Sequence, residues 1–340
     1  MTTLVPGTKV VIMKEKVLVT GGAGFIGSHI VDLLIENNYD VVVVDDLSSG
    51  RKENLPQDVK FYNLNITNIQ ELEKIFEQEK PDYVIHEAAQ ISVSLSVREP
   101  ILDAQTNIFG SLNLLQCCVK CGVKGVVFAS SGGTVYGEPT RFPVNENHSL
   151  LPLSPYGISK VTVEHYLNFY QKNYHLDYIA LRYGNVYGPR QDPYGEAGVI
   201  AIFIQKMLKG EKPTINGDGD YIRDYVYVKD VAQANLLALK NLKKSPEVSA
   251  KTKADKKQQS VLKGFNLGTE KGTSVNELFA FLKDIMKFSC PADYGPARPG
   301  DLRKNILNCQ KIQNTFGWKP QTDLSSGLKE TVNWFKKVNY

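Results

Sequence analysis

No run in this 340-residue chain approaches the roughly 18 consecutive apolar residues that a membrane helix needs. The opening Met1–Lys14 also lacks the apolar centre of a signal peptide, because Pro6, Gly7, Thr8 and Lys9 interrupt it. A cytoplasmic protein is therefore expected. The five cysteines are an odd number and exclude a complete disulfide framework, so free thiols are the simpler reading. Cys118 and Cys121 have the spacing of a redox pair, but they end a helical pattern just before Gly122, where the helix dipole disfavours a thiolate. No second cysteine pair and no histidine cluster offers zinc ligands, so no metal is expected. Charge of one sign is scarce too. The formal net charge is only +4, and seven lysines fall in Lys243–Lys263, which reads as a solvated insertion rather than a nucleic-acid surface.

What is present is a rhythm. Val17–Thr20, Val41–Asp45, Lys60–Leu64, Tyr83–His86 and Val126–Ser130 are short and β-branched, and helical patterns such as Ser28–Asn37, Ile69–Gln78 and Gly110–Cys121 separate them. Strands alternating with helices pair in parallel, and right-handed crossovers then give an α/β fold, a Rossmann-like doubly wound parallel sheet with both faces covered. After about Asn185 the rhythm loosens into pieces broken by Pro189, Pro193, Gly195, Gly198, Pro213, Gly217 and Gly219. The expected division is a dinucleotide-binding domain over 15–185, its sheet completed by about 220–242. A smaller C-terminal α/β substrate lobe is expected from 186–219 and 264–338, with an insertion over 243–263 and a tail over 1–14. Arg223–Val228 reads as the strand returning to the sheet, and Asp230 as the cap of a helix over Val231–Asn241.

The first strand runs directly into Gly21, Gly24 and Gly27 and then into a helix. In that context Gly21 makes the tight turn, Gly24 lets backbone approach a pyrophosphate and Gly27 allows close packing of helix on sheet. Asp45 ends the second strand, near the offset at which a carboxylate meets the adenosine ribose hydroxyls. This favours NAD over NADP, since Asp45 and Asp46 would repel a 2′-phosphate unless Arg51 offset them.

Tyr156 and Lys160 lie four residues apart at the start of an amphipathic helix and so share one face. A tyrosine that works as a base near neutral pH needs its pKa lowered by about 3 units, or ~4 kcal/mol of interaction favouring the phenolate. Lys160 and an oxidised nicotinamide, both cationic, are the expected sources.

With these motifs in order, the sequence resembles the extended short-chain dehydrogenase/reductase family, and within it the NDP-sugar epimerases of the UDP-glucose 4-epimerase (UDP-galactose 4-epimerase) kind, from Lys16 to about Phe335. The segments that carry the likeness are the glycine loop; Asp45–Gly50; His86-Glu-Ala-Ala-Gln90; Asn107–Gly110; Ser130–Gly137; Ser154–Lys160; Arg182–Pro189; Arg223–Val228; and Arg298-Pro-Gly-Asp301. The resemblance implies NAD-dependent C4 epimerisation of a UDP-sugar, interconverting UDP-glucose and UDP-galactose through a transient 4-keto sugar. It implies Tyr156 as the base and Lys160 as its partner. Phe25, Ile26, Asn65, Ile66, Ala88, Ala89, Gln90 and Asn107 would line the cofactor. Asn185, Arg223, Arg298 and Asp301 would hold the nucleotide diphosphate, and relatives dimerise through helices that match 102–121 and 155–173.

Two positions depart from the family pattern. Gly132 stands where a serine or threonine hydroxyl usually assists the tyrosine, leaving Ser131, Thr134 or a water to substitute, with Ser131 preferred. Asn65 stands where aspartate is common. Gly133 and Thr134 also lack the carboxylic acids of related dehydratases and decarboxylases, which places the epimerase reading first. A net dehydrogenase would accumulate NADH, and a non-catalytic NAD-binding regulator would be free to lose Tyr156 or Lys160. Asn305 occupies a position that is bulky in some relatives, which hints at room for an N-acetylated sugar.

Overall fold

The structure is a computed structural model, which describes residues 14–194, 198–243, 262–297 and 302–338. The tail over 1–13 and most of the expected insertion, 244–261, lie outside the described residues. In chain order the strands begin with β1 (Lys16–Thr20), β2 (Asp40–Asp45), β3 (Lys60–Asn63), β4 (Tyr83–His86), β5 (Gly125–Ser131) and β6 (Asp177–Tyr183). They continue with β7 (Asn185–Tyr187), β8 (Thr214–Asn216), β9 (Ile222–Tyr227), β10 (Gly264–Leu267), β11 (Gly272–Ser274) and β12 (Asp293–Gly295). Helices α1 (Phe25–Glu36), α2 (Ile69–Glu79), α3 (Val93–Arg98), α4 (Pro100–Asp103), α5 (Gly110–Lys120) and α6 (Pro155–Tyr174) fall among the first six strands, and a π-helical turn, Ala104–Phe109, links α4 to α5. Beyond them lie α7 (Val199–Leu208), α8 (Val228–Leu242), α9 (Val275–Met286), α10 (Gln310–Phe316) and α11 (Leu324–Val338).

The main sheet has seven parallel strands in the order β10-β6-β5-β4-β1-β2-β3. Alternation along each strand feeds two cores. Val17, Val19, Val41 and Val43 belong to one cluster, with Ile30 and Leu34 of α1 and Val231 and Leu239 of α8. Leu18, Val42 and Val44 belong to the other, with Leu72 and Phe76 of α2, Leu114 of α5 and Leu167 of α6. Each side chain fully buried this way contributes roughly 1.5–3 kcal/mol, so the β1–β2 pair anchors both faces.

Two expectations need correction. The seventh strand is β10, not Arg223–Val228. That segment is β9, the centre of a separate three-stranded sheet, β11-β9-β7. Only the following helix, α8, returns to the main sheet, packing against α1, β5 and β6. Asp230 does not cap that helix either, since it sits inside the first turn of α8. Its carboxylate accepts the backbone N–H groups of Gln321 at 3.1 Å and Thr322 at 3.0 Å, and so fastens the chain leading into α11 to the first lobe. The smaller lobe has its own core, in which Phe203, Ile215, Tyr227, Leu278, Leu328 and Phe335 are buried together. No helix among the described residues is long and apolar enough to cross a membrane.

Candidate active site

The parallel register pairs Thr20 with His86 at the carboxyl ends of β1 and β4, and Ser131 with Tyr183 at the carboxyl ends of β5 and β6. That edge is where an open α/β sheet presents its loops to a ligand. At β1, Gly21 has φ +67°, and a Cβ there would fall 2.6 Å from the Ala88 nitrogen, while a Cβ on Gly27 would lie 2.1 Å from the Gly21 oxygen. Both contacts exclude any side chain. Gly24 differs, because an added Cβ would meet only the Gly21 oxygen, at 3.1 Å. Gly24 is also the N-cap of α1, no side chain caps that end, and Phe25 and Ile26 form its first turn. Open space above uncapped N–H groups at a helix N-terminus fits a pyrophosphate.

Asp45 closes the other end of this cradle. Its carboxylate accepts from Ala23 N at 2.9 Å and Leu47 N at 2.8 Å, and burial raises its pKa. Asn65 is less available than the resemblance implies. Its amide donates to Asp46 Oδ2 at 2.7 Å and its oxygen accepts from Thr67 N and Oγ1 at 2.9 and 2.7 Å, so it serves Asp46 and a local turn. An aspartate in its place would set two carboxylates against each other. Arg51 leans toward Asp192, with 3.9 Å between charged atoms. Ile66 is buried against Gly110. Ala88 N donates to Thr20 Oγ1 at 3.3 Å, placing Ala88 and Ala89 beside the glycine turn. Gln90 and Asn107 are paired, with Gln90 N donating to Asn107 Oδ1 at 2.8 Å and Asn107 Nδ2 donating to Gln90 O at 2.9 Å. The residues present therefore fit a dinucleotide.

The Tyr156–Lys160 helix starts where the sequence places it. Ser154 is its N-cap, accepting from Gly157 N at 3.2 Å, with Pro155 at the first helical position. Lys160 is buried and donates to Ala129 O at 2.9 Å, and its Nζ lies 5.6 Å from the centre of the Tyr156 ring. Burial lowers its pKa to about 8, against the opposing pull of Glu87 and Asp103. Tyr156 moves the opposite way from the expected depression: burial pushes it up, Asp103 and Glu87 add to the rise, and a hydrogen bond with Ser131 opposes it. The protein alone thus keeps the phenol protonated.

Around the departure at Gly132, a Cβ would lie 2.5 Å from Leu307 Cδ1 and 3.0 Å from the Arg182 oxygen, so a serine there would force Leu307 to move. Thr134 Oγ1 is buried without a protein partner. Asn305 is buried behind this stretch, with its Nδ2 donating to Gly132 O at 3.1 Å and its Oδ1 unpartnered. On the second lobe, Asn185 is exposed at the start of β7 and Arg223 lies on β9, its Nη1 donating to Ile222 O at 3.0 Å. Arg298 and Asp301 lie outside the described residues.

Three residues that sequence reasoning left without a role stand close to the pair. Glu87 accepts from Tyr183 OH at 2.7 Å, Asn235 Nδ2 donates to that same hydroxyl at 2.8 Å, and burial raises the Glu87 pKa to about 7. Asp103 is fully buried and bonds Ser159, the neighbour of Lys160, at 2.6 Å. Nothing in the local sequence marks these groups, because only the strand order makes them neighbours. The thiols stay bland, as expected: burial pushes Cys117 up to about 12 and raises Cys118 and Cys121 as well. Among the described residues no cluster of histidine, cysteine or acid side chains could hold a metal.

Comparison with known proteins places these features in a family. Residues 17–250 match the model of the NAD dependent epimerase/dehydratase family. Among solved structures, the UDP-glucose 4-epimerase of Thermotoga maritima, crystallised with UDP-glucose, is 51% identical, with a TM-score of 0.88 over 96% of this chain and 100% of that one. The UDP-glucose 4-epimerase of Thermus thermophilus, in complex with NAD, is 41% identical, with a TM-score of 0.85 over 95% of this chain and 99% of that one. A UDP-N-acetylglucosamine 4-epimerase from Methanobrevibacter ruminantium, in complex with UDP-N-acetylmuramic acid, is 38% identical, with a TM-score of 0.84 over 95% of this chain and 99% of that one.

Proposed function

The chain belongs to the NAD dependent epimerase/dehydratase family, and we propose that it is an NAD-dependent isomerase that inverts C4 of a UDP-sugar, interconverting UDP-glucose and UDP-galactose. The observation that carries this reading is the Tyr156–Lys160 pair, with Lys160 buried on Ala129 O and hydroxyls, Ser131 and Thr134, on the strand end next to it. When bound, NAD supplies a hydride acceptor that also returns the hydride, so no net redox results. Tyr156 takes the proton of the sugar 4-hydroxyl and gives it back after inversion, and Ser131 holds the phenolic oxygen in line for both transfers. Lys160 keeps a positive charge beneath the ring from its seat on Ala129 O. Dehydration would need acid groups on the strand end that Gly132, Gly133 and Thr134 do not provide.

On this reading the first lobe binds the cofactor, through Gly21, Gly24, Phe25, Ile26, Gly27, Asp45, Ile66, Ala88, Ala89, Gln90 and Asn107. The second lobe holds the nucleotide through Asn185 and Arg223. Acceptance of N-acetylated sugars is supported by the modest size of Asn305 and by the likeness to an enzyme named for UDP-N-acetylglucosamine. A cytoplasmic homodimer completes the reading. Leu102 (44% exposed), Phe109 (60%), Ile158 (50%) and Phe169 (47%) put apolar surface on 102–121 and 155–173, the segments that the family resemblance implies for dimerisation.

Purified protein incubated with UDP-galactose, without reductant, should form UDP-glucose by NMR with no build-up of reduced nicotinamide, and Tyr156→Phe should abolish it. Steady NADH, or no turnover of either UDP-hexose, would overturn the epimerase reading. Turnover of UDP-N-acetylglucosamine, assayed the same way, decides the wider specificity.

A further inference from the structure

The carboxylate of Asp103 accepts three side-chain donors at once. Gln90 Nε2 and Asn107 Nδ2 each lie 2.9 Å from Oδ1, and Ser159 Oγ lies 2.6 Å from Oδ2. Asp103 is 0% exposed, and Asn107 and Ser159 are buried with it. The three donors come from separate elements: the loop after β4, the π-helical turn, and the first turns of α6. Asp103 and Asn107 are four residues apart across the junction of α4 and the π turn, and the wider π spacing is the kind of local irregularity that re-aims side chains at functional sites. All three contacts come from N–H or O–H groups, so the carboxylate acts only as an acceptor here.

We propose that Asp103 is a positioning residue for the Tyr156–Lys160 pair: its carboxylate locks the first turns of α6 to the Gln90 loop and supplies the fixed negative charge against which the pair works. The proposal rests on the catalytic reading of that pair given above. Ser159 is the residue before Lys160, so the Asp103–Ser159 bond sets the rotation of the helix that carries both groups. The charge acts on both as well, since Asp103 raises the pKa of Lys160 and that of Tyr156. It therefore holds a proton on each. The other titratable groups facing the pair are Glu87 beyond β4, which acts with the same sign, His86 of β4, whose own pKa Lys160 lowers, and Tyr183 of β6.

The test separates charge from hydrogen bonding. Asp103→Asn has the same shape and can keep every bond, its oxygen accepting from Gln90 and Asn107 while its amide donates to the Ser159 hydroxyl. Asp103→Glu keeps the charge but disturbs the geometry. In the Asn variant both limbs of the pH profile of kcat/KM should move to lower pH, by on the order of one unit, with the melting temperature nearly unchanged. In the Glu variant the limbs should stay in place while kcat falls. An Asn variant that loses rate equally at every pH, or a Glu variant whose limbs move, would reduce Asp103 to a packing role. A second readout needs no turnover: acylation of Lys160 by an amine-selective reagent, located by mass spectrometry, should begin at lower pH in the Asn variant than in the parent protein. Failure of the parent to epimerise any UDP-sugar would sink the functional reading, whereas an unshifted labelling profile sinks the role of Asp103.

Discussion

Leu307 fills the space that a side chain at residue 132 would need: a Cβ on Gly132 would stand 2.5 Å from Leu307 Cδ1 and 3.0 Å from its Cδ2. The helper hydroxyl common in the family therefore carries a packing cost here, because Leu307 must shift to admit it. Gly132→Ser should destabilise the protein by about 1–3 kcal/mol and lower activity rather than raise it. Pairing it with Leu307→Val, which removes the offending δ-carbons, should recover most of that stability. A double-mutant cycle of urea unfolding checks this, and additive effects would show that the two positions are not in contact.

The hydroxyl nearest the catalytic phenol is then Ser131. Ser131→Ala should lower kcat by about 10- to 100-fold with little change in KM, because it removes a bond to Tyr156 rather than to the nucleotide. Thr134→Val should show whether the unpartnered Thr134 hydroxyl shares the task. Steady-state kinetics of the two single variants and the double variant apportions it, and a Ser131→Ala enzyme with unchanged kcat would shift the role to Thr134.

Glu87 makes a signed prediction about stability. Its pKa rises from an ordinary 4.5 to about 7 in the fold, so the unfolded chain releases a proton that the folded chain retains. Stability is lost as pH climbs through that window, reaching on the order of 2–3 kcal/mol at its top. Glu87→Gln cannot titrate. Its melting temperature should exceed that of the parent at neutral pH and approach it in mild acid, as calorimetry of cofactor-free protein would show.

Two histidines tilt the balance the other way. His86 Nε2 donates to Ser111 Oγ at 2.9 Å, because that hydroxyl is itself committed to Asn107 O at 2.6 Å, and His86 Nδ1 then accepts from Thr20 Oγ1 at 2.7 Å. Burial lowers His86 to about 3 and His29, bonded to Pro189 O at 3.0 Å, to about 4. Both are neutral in the fold. Their stabilisation is complete above the unfolded pKa of about 6.5 and is lost as pH falls below it, by roughly 2 kcal/mol each near pH 5. His29→Gln should remove about half of that acid sensitivity in pH-resolved melting curves, and an unchanged slope would mean that His29 titrates normally.

The parts of this site that were legible in the sequence are those whose partners are close along the chain. Gly21, Gly24 and Gly27 adjoin a strand and a helix, and Tyr156 and Lys160 are one helical turn apart, so spacing alone states the geometry. Asp103 meets Ser159, and Glu87 meets Tyr183, only after β4, β5 and β6 have been ordered. Asp230 was misread because an acid at the start of a helix looks like a cap, whereas its partners are Gln321 and Thr322, some ninety residues on. The strand β10 is four residues long and carries a polar Asn266, which is satisfied by Val144 O at 2.8 Å and by Tyr136. Neither its length nor its pattern announces a place in the main sheet.

That strand also governs the order in which the molecule can be completed. β10 pairs with β6 from Gly264↔Ala180 to Leu267↔Tyr183, yet the ribosome delivers α7, β8, β9 and α8 before it. Until Leu267 has left the exit tunnel, β6 remains an open edge of a nearly finished parallel sheet, with a row of unpaired amides available to any passing strand. The smaller lobe is thus inserted into the larger one's folding pathway, and a chain that stalls before Gly264 leaves the β6 edge exposed to aggregation.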